Sequence, residues 1–174
     1  MMNILIINGA NAKTSRLTAL VNYVHSTLAS QDVQVKTLDV ISIPAEDLIL
    51  TNFKSPAIIE ARQLVEEADI LFVATPVYKG SYSGILKTLL DLLPENALKD
   101  KVCVPIAMGG TSAHLLMLEY TLKPVLSILG STAIEHGVFA LDKQITISTE
   151  GVDIDEELKT RIDKAIEQYS TLPV

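Results

Sequence analysis

Three short segments of the sequence combine glycines and hydroxyl side chains directly after apolar runs, and the first two also hold a lysine. They are residues 8–15, 75–84 and 109–112. Glycines let a ligand approach the backbone closely, and hydroxyl and cationic groups hydrogen-bond anions. A flat ring with a phosphate tail needs these groups together in one crevice, and FMN is such a ligand.

The first segment leads into a predicted helix that is capped by Ser15 and has Arg16 in its first turn. The free N–H groups and the positive end of a helix dipole favour an anion at such a position. The segment therefore suits a phosphate, with Asn11 in the loop before the helix. From this segment alone, a helix cap at Ser15 with a solvated Arg16 is an equally good interpretation.

The second segment contains Pro76, Val77 and Tyr78, which are stiff and apolar enough to cover a flat ring. The alternative is a well-packed turn in which Tyr78 is half buried. The third segment places Gly109 and Gly110 before two hydroxyls, and taken alone it is compatible with a simple turn. The three segments are informative only together.

The elements that must position these segments alternate between strand and helix patterns. Apolar runs predict strands at residues 3–7, 70–74 and 101–108, and apolar–polar alternation predicts an edge strand at residues 33–40. A last strand is predicted at residues 133–140, extended by residues 144–148. Helical spacing follows each strand, after Ser15 and at residues 56–67, 83–94, 113–129 and 154–169. Residues 41–55 are predicted to be irregular, and Pro76 is expected to end the third strand.

This alternation predicts an α/β fold with a five-stranded parallel sheet and helices on both faces. The flavodoxin-like strand order 2-1-3-4-5 makes the first, third and fourth strands neighbours, so the three segments meet at one edge. The 174 residues are predicted to form a single domain over residues 1–174. Pro124 lies inside the fourth helix, which predicts a kink or a π-bulge there.

Composition argues against several classes of partner. The net charge of −7 argues against nucleic acid and anionic lipid as main partners. No apolar run has the ~18 residues of a membrane span, and residues 1–3 lead straight into a strand, so a cytoplasmic protein without a signal peptide is expected. Cys103 lies in an apolar run and is predicted to be inert.

Several other chemistries have no matching pattern. The first strand is not followed by G-x-G-x-x-G or G-x-x-x-x-G-K, and residues 80–84 have Tyr82 where a nucleophile elbow needs serine. The histidines are isolated, without metal-ligand spacing, although His114 is close enough to the third segment to line the crevice. No metal site and no catalytic acid, base or nucleophile is predicted.

The string TPVYKGSYSGILKTLLDLLP at residues 75–94, together with residues 109–129, resembles the NADPH-dependent FMN reductases that partner alkanesulfonate monooxygenases in sulfur-starved bacteria. The likeness extends from Met2 to about Phe139 and more loosely to the last helix. It implies FMN and NADPH (or NADH) as ligands. It also implies a phosphate site at Ser15, Arg16 and Leu17, a ring site at Pro76, Val77, Tyr78 and Lys79, and a closing edge at Gly109, Gly110, Thr111 and Ser112.

A further family feature is matched at Tyr120, the place of an inserted tyrosine that makes a π-helix at a subunit interface. The resemblance implies that this feature accompanies flavin exchange. One departure lies in the first loop, where the family's Gly-Ser-x-Arg is replaced by Gly9-Ala10-Asn11-Ala12, with Lys13 as a partial substitute for the lost charge.

The function that we expect is hydride transfer from the nicotinamide C4 of NAD(P)H to the flavin N5, with reduced flavin passing to a monooxygenase. The alternatives are a reductase of quinones or azo dyes that retains FMN, a flavodoxin-like electron carrier, and a flavin-free interaction domain. The resemblance implies a homodimer or homotetramer. An excess of apolar helix residues suits a helical interface of that kind: Leu86, Leu89, Leu115, Leu116 and Leu118.

Overall fold

The computed structural model describes residues 2–170, except for the side chain of the last of these. Met1 and residues 171–174, which the single-domain prediction includes, lie outside the described residues. The α-helices are α1 (Arg16–Ala29), α2 (Ala45–Ile49), α3 (Pro56–Glu67), α4 (Gly84–Leu90), α5 (Lys123–Ile128) and α6 (Glu156–Ser170). The strands are β1 (Asn3–Asn8), β2 (Gln34–Asp39), β3 (Ile70–Tyr78), β4 (Ser81–Tyr82), β5 (Val102–Gly109), β6 (Ala133–Ile134), β7 (Val138–Leu141), β8 (Ile145–Ser148) and β9 (Gly151–Ile154).

The central sheet is parallel apart from β4, and helices cover both of its faces. Its strands lie in the order β2-β1-β3-β5, with β6 and β7 sharing the position beyond β5. The five parallel positions therefore follow the predicted 2-1-3-4-5 order. One core cluster packs under α3, α4 and α5, and the other packs under α1 and α6, as expected for strands that are apolar on both faces.

The strand count differs from the prediction because the fifth position is interrupted. β6 pairs with the start of β5 and β7 pairs with its end, so the ladder is broken beside Pro105. Proline has no N–H for this neighbour to accept. Gly137 fills the gap at φ +81°, where a Cβ would lie 2.4 Å from the Pro105 carbonyl oxygen.

Two further strand predictions were wrong. Pro76 does not end β3, which pairs with β5 up to that residue and then continues to Tyr78 as one arm of a hairpin with β4. Residues 144–148 do not extend the last strand, because β8 and β9 form a separate two-stranded antiparallel sheet.

The predicted extents of α1, α3 and α6 are confirmed, and three other details need correction. Residues 41–55 contain α2, and α4 ends at Leu90, short of Pro94. Ser55 does not cap α3 with its side chain. Its hydroxyl instead donates to Asp47 Oδ2 at 2.6 Å.

The irregularity predicted near Pro124 is confirmed. Residues 113–129 are not one helix: Leu118–Leu122 is a π-helix that runs directly into α5. The Lys123 N–H bonds the Leu118 carbonyl, which is the i→i−5 pattern of a π-turn. None of the helices in residues 2–170 is long and apolar enough to cross a membrane.

Candidate functional site

The carboxyl ends of β1, β3 and β5 open onto one cavity of about 440 Å³, here called the crevice. Parallel strands place their carboxyl ends at the same sheet edge, so the three segments converge as expected. The predicted cofactor-binding residues that line the crevice are Asn11, Ser15, Arg16, Leu17, Pro76, Val77, Tyr78, Gly109 and Gly110. Lys79, Thr111 and Ser112 are not among its lining residues.

The amino end of α1 faces the crevice. Ser15 caps the helix, because its hydroxyl accepts the Thr18 N–H at 3.0 Å. The first-turn N–H groups of Arg16 and Leu17 have no acceptor within the helix. Since the Leu17 side chain is buried in the core, Leu17 can offer a ligand only its backbone. These N–H groups and the helix dipole suit an anion.

Arg16 connects this helix end to the β8–β9 hairpin. Its Nε donates to the Ile145 carbonyl at 3.0 Å. Neither Nη makes a hydrogen bond to another described residue, so both stay available for a ligand. A guanidinium fixed in this way presents a planar pair of donors, which matches the geometry of a phosphate.

The second segment is a β-hairpin that projects one aromatic side chain. Val77 pairs with Tyr82 and Tyr78 pairs with Ser81. The two residues between them, Lys79 and Gly80, have φ of 52° and 75°. Positive φ at both positions defines the tight turn that matches strand twist. Lys79 is therefore held at the exposed tip, while Tyr78 is 47% exposed beside the crevice.

Buried polar bonds join the first segment to the second. The Gly9 N–H donates to the Ala74 carbonyl at 2.8 Å. The Ser83 hydroxyl donates to the Gly9 carbonyl at 2.8 Å and accepts the Leu86 N–H at 3.1 Å, capping α4. Thr75 Oγ1 accepts the Ser83 N–H at 2.9 Å. The relative position of the two segments is therefore fixed by specific, water-excluded bonds.

The third segment approaches the second closely. A Cβ on Gly109 would lie 3.2 Å from Phe139 Cζ and 3.3 Å from Val77 Cβ, so only glycine leaves the packing undisturbed. Thr111 turns its hydroxyl toward its own loop, where it accepts the Ala113 N–H at 3.3 Å. Ser112 lines a separate groove of about 600 Å³ beside β7.

The structure adds lining residues that the sequence analysis did not name as binding residues: Ala10, Thr14, Met108, Asp142 and Ile147. Asp142 and Ile147 follow β7. Ile147 lies within residues 144–148, which the sequence predicts as an extension of the last strand, and Asp142 lies just before them. Gly151, with φ +139°, was the available signal for the hairpin that brings Ile147 to the crevice. Asp142 gives the crevice a carboxylate, and its Oδ2 lies 3.6 Å from where a Gly110 Cβ would be.

Other predicted residues lie away from the crevice. His114 is in a 3₁₀ turn and is not a lining residue. Cys103 is buried in the sheet, and burial raises the pKa of its thiol. Within residues 2–170, no group of histidine, cysteine, aspartate and glutamate side chains is arranged to hold a metal ion.

The π-helix exposes an apolar surface of its own. Tyr120 is 76% exposed, and Leu115, Leu116 and Ile128 are exposed near it in sequence. Three residues of the predicted excess belong instead to the core, because Leu86, Leu89 and Leu118 are buried against the sheet. The apolar excess is therefore smaller than predicted and is concentrated around the π-helix.

Comparisons with known proteins agree on one family. The sequence profile of the family described as NADPH-dependent FMN reductase matches residues 2–146. The chain is 45% identical over 168 residues to the FMN reductase (NADPH) of Escherichia coli (strain K12), covering 97% of this chain and 88% of that protein. It is 41% identical over 129 residues to the NADH-dependent FMN reductase SfnF of Pseudomonas fluorescens (strain Pf0-1), covering 71% of this chain and 65% of that protein. Among solved structures, the apo form of the NADH:FMN oxidoreductase EMOB matches with a TM-score of 0.87 and 31% identity, over 99% of this chain and 92% of that one.

Proposed function

Because the chain belongs to the NADPH-dependent FMN reductase family, we propose that the crevice at the ends of β1, β3 and β5 is its FMN site. The chain is an NAD(P)H:FMN oxidoreductase, with FMN as its flavin and NADPH or NADH as its electron donor. The convergence of three separate segments on one cavity carries the assignment of the site.

The residues of the crevice fit FMN in size and in chemistry. A volume of about 440 Å³ lies within the ~300–1,000 Å³ range of small-molecule sites. The phosphate of FMN would be held by the N–H groups of Arg16 and Leu17 and by the Arg16 guanidinium. Its ring would be held by Pro76, Val77 and Tyr78 together with the Gly109–Gly110 backbone.

The chemistry that FMN would supply when bound is the acceptance of a hydride ion from the reduced nicotinamide. The protein's residues bind and orient it, and the crevice needs no side chain that transfers a proton. Met108 and Ile147 add apolar surface that excludes water. Backbone N–H groups at the crevice edge would stabilise negative charge on the reduced ring.

We further propose that residues 1–174 form one domain that passes reduced flavin to a flavin-dependent monooxygenase. The resemblance of residues 75–94 to reductases of that kind supports this role. The exposed Tyr120 and its apolar neighbours support a homo-oligomer interface at the π-helix, where Tyr120 governs flavin exchange. Deletion of Tyr120 should lower the oligomer mass measured by light scattering and slow flavin release. An unchanged mass and release rate would contradict this role.

The test of the site is steady-state oxidation of NADPH and NADH by flavin-stripped protein, with FMN or riboflavin added. Strong oxidation by a colourless protein only after flavin addition supports a flavin that leaves as a product. A yellow protein that reduces quinones by a ping-pong mechanism would indicate a retained flavin, and no oxidation at all would contradict a reductase.

A matched pair of variants locates the phosphate. Arg16→Gln should raise KM for FMN about tenfold, the size of one lost charge-assisted hydrogen bond, and leave KM for riboflavin nearly unchanged. Arg62→Gln, on α3, is the control and should change neither value. If Arg16→Gln affects both flavins equally, the phosphate does not bind at the start of α1.

A further inference from the structure

A buried asparagine stands at the end of β1, directly before the first loop. Asn8 is only 1% exposed and does not line the crevice. Its Nδ2 donates to Asp39 Oδ1, across from it on β2, at 2.8 Å. Its Oδ1 accepts the Ala10 N–H at 3.2 Å. A carboxamide buried this deeply is costly unless it is hydrogen-bonded, and here both ends have partners.

The same carboxamide reaches the start of α1 through Thr18. Asn8 Nδ2 lies 3.4 Å from Thr18 Oγ1, and that hydroxyl donates to the Ala12 carbonyl at 2.9 Å. Because the Thr18 proton is used in this way, the Ser15 hydroxyl donates to Thr18 Oγ1, at 2.9 Å. A continuous chain of bonds therefore runs from Asp39 through Asn8 and Thr18 to Ser15.

This chain of bonds holds a loop that has little apolar packing of its own. Ala10 is buried, but Asn11, Lys13 and Thr14 are exposed. The network contacts the loop at the Ala10 N–H, the Ala12 carbonyl and the Ser15 hydroxyl. Its shape therefore depends on hydrogen bonds to Asn8 and Thr18, and the first N–H groups of α1 depend on that shape for their position.

We propose that Asn8 and Asp39 are positioning residues that shape the loop for the flavin phosphate, so that preference for FMN over riboflavin is set by a bond between β1 and β2 outside the crevice. The inference rests on the proposed FMN site. It concerns recognition of the phosphate and not of the ring, because none of the bonds in the network involves residues 76–78 or 109–110.

The test is fluorescence titration of flavin-stripped protein with FMN and with riboflavin. Asn8→Ala should raise the Kd for FMN about tenfold and change the Kd for riboflavin less than about twofold. Thr18→Val, which keeps the shape and removes the hydroxyl, should act in the same direction. Asp39→Leu should resemble Asn8→Ala, whereas Asp39→Asn keeps an acceptor for Asn8 and should retain the wild-type ratio of the two Kd values.

Two controls separate positioning from general stability. Asn3→Ala removes an asparagine at the opposite end of β1 that bonds the Glu67 carbonyl, and Thr27→Val repeats the threonine change further along α1. Both should keep the wild-type ratio. Should Asn8→Ala fail to fold, Thr18→Val and Asp39→Leu supply the comparison.

An equal loss for both flavins, or no loss in any network variant, overturns the positioning role while the FMN site stands. If the wild-type protein binds neither flavin, the proposed site itself fails.

Discussion

Gly9→Ala is the substitution that tests most sharply how the first two segments are held together. A Cβ on Gly9 would lie 2.9 Å from Leu86 Cβ and 3.0 Å from the Ala74 carbonyl oxygen. Neither atom is the end of a flexible side chain, so the backbone of Gly9, β3 or α4 must shift. Gly9 also makes two of the bonds between the segments, through its N–H and its carbonyl.

The expected cost is that of an overpacked core. One added methyl group at such a site destabilises a protein by about 1–3 kcal/mol. For a chain of 174 residues, this lowers Tm by roughly 2–12 °C, at about 2–4 °C per kcal/mol. Because the shift occurs between the ring and phosphate segments, FMN affinity should fall as well.

The matched control is Gly84→Ala, the same substitution at the start of α4. A Cβ there has no heavy atom within 4 Å, and the backbone is helical. Reduced freedom of the unfolded chain should stabilise this variant by about 0.4–1 kcal/mol, and Tm should rise slightly.

Thermal unfolding followed by circular dichroism, with FMN titration of each variant, measures both effects. A Gly9→Ala protein as stable as wild type, or a Gly84→Ala protein that loses as much, would refute the close packing described for Gly9.

Three further predictions concern single side chains. Tyr78→Ala should weaken binding of FMN and of riboflavin equally, by about twofold to thirteenfold, since an aromatic contact worth roughly 0.5–1.5 kcal/mol acts on the ring. A selective loss for FMN would contradict the ring assignment. Asp142→Asn should tighten FMN binding about twofold at low salt, because a solvated repulsion of roughly 0.4 kcal/mol between its carboxylate and the phosphate is removed. Glu150→Gln, at the exposed end of the β8–β9 hairpin, is the control. An equal gain in that variant would mean that net charge causes the effect. Cys103 should not react with a thiol reagent at neutral pH until the protein unfolds, because burial raises the pKa of its thiol; rapid labelling of the native protein would show that the strand opens.

Local patterns were enough to predict most of the fold and the convergence of the three segments on one crevice. Apolar spacing identified α1, α3 and α6 because a helix face is encoded in residues three and four apart. The crevice could be predicted because parallel strands bring their carboxyl ends to one edge whatever the loops contain.

The errors arose where structure depends on a distant neighbour. The interruption of the fifth strand follows from Pro105 on β5 meeting Gly137, a contact that neither local pattern shows. The bond between Asn8 and Asp39 depends on the register of two strands far apart in sequence. The β8–β9 hairpin was not predicted because its first strand continues the apolar character of β7. For the same reason, Asp142 and Ile147 were not identified as lining residues of the crevice.

The central claim is tested most directly by a crystal structure of the protein with FMN. We expect the phosphate to bind the N–H groups of Arg16 and Leu17. We expect the ring to lie on Pro76, Val77 and Tyr78, with its edge at Gly109 and Gly110. A flavin bound at another surface, or with its phosphate away from the start of α1, would contradict the account.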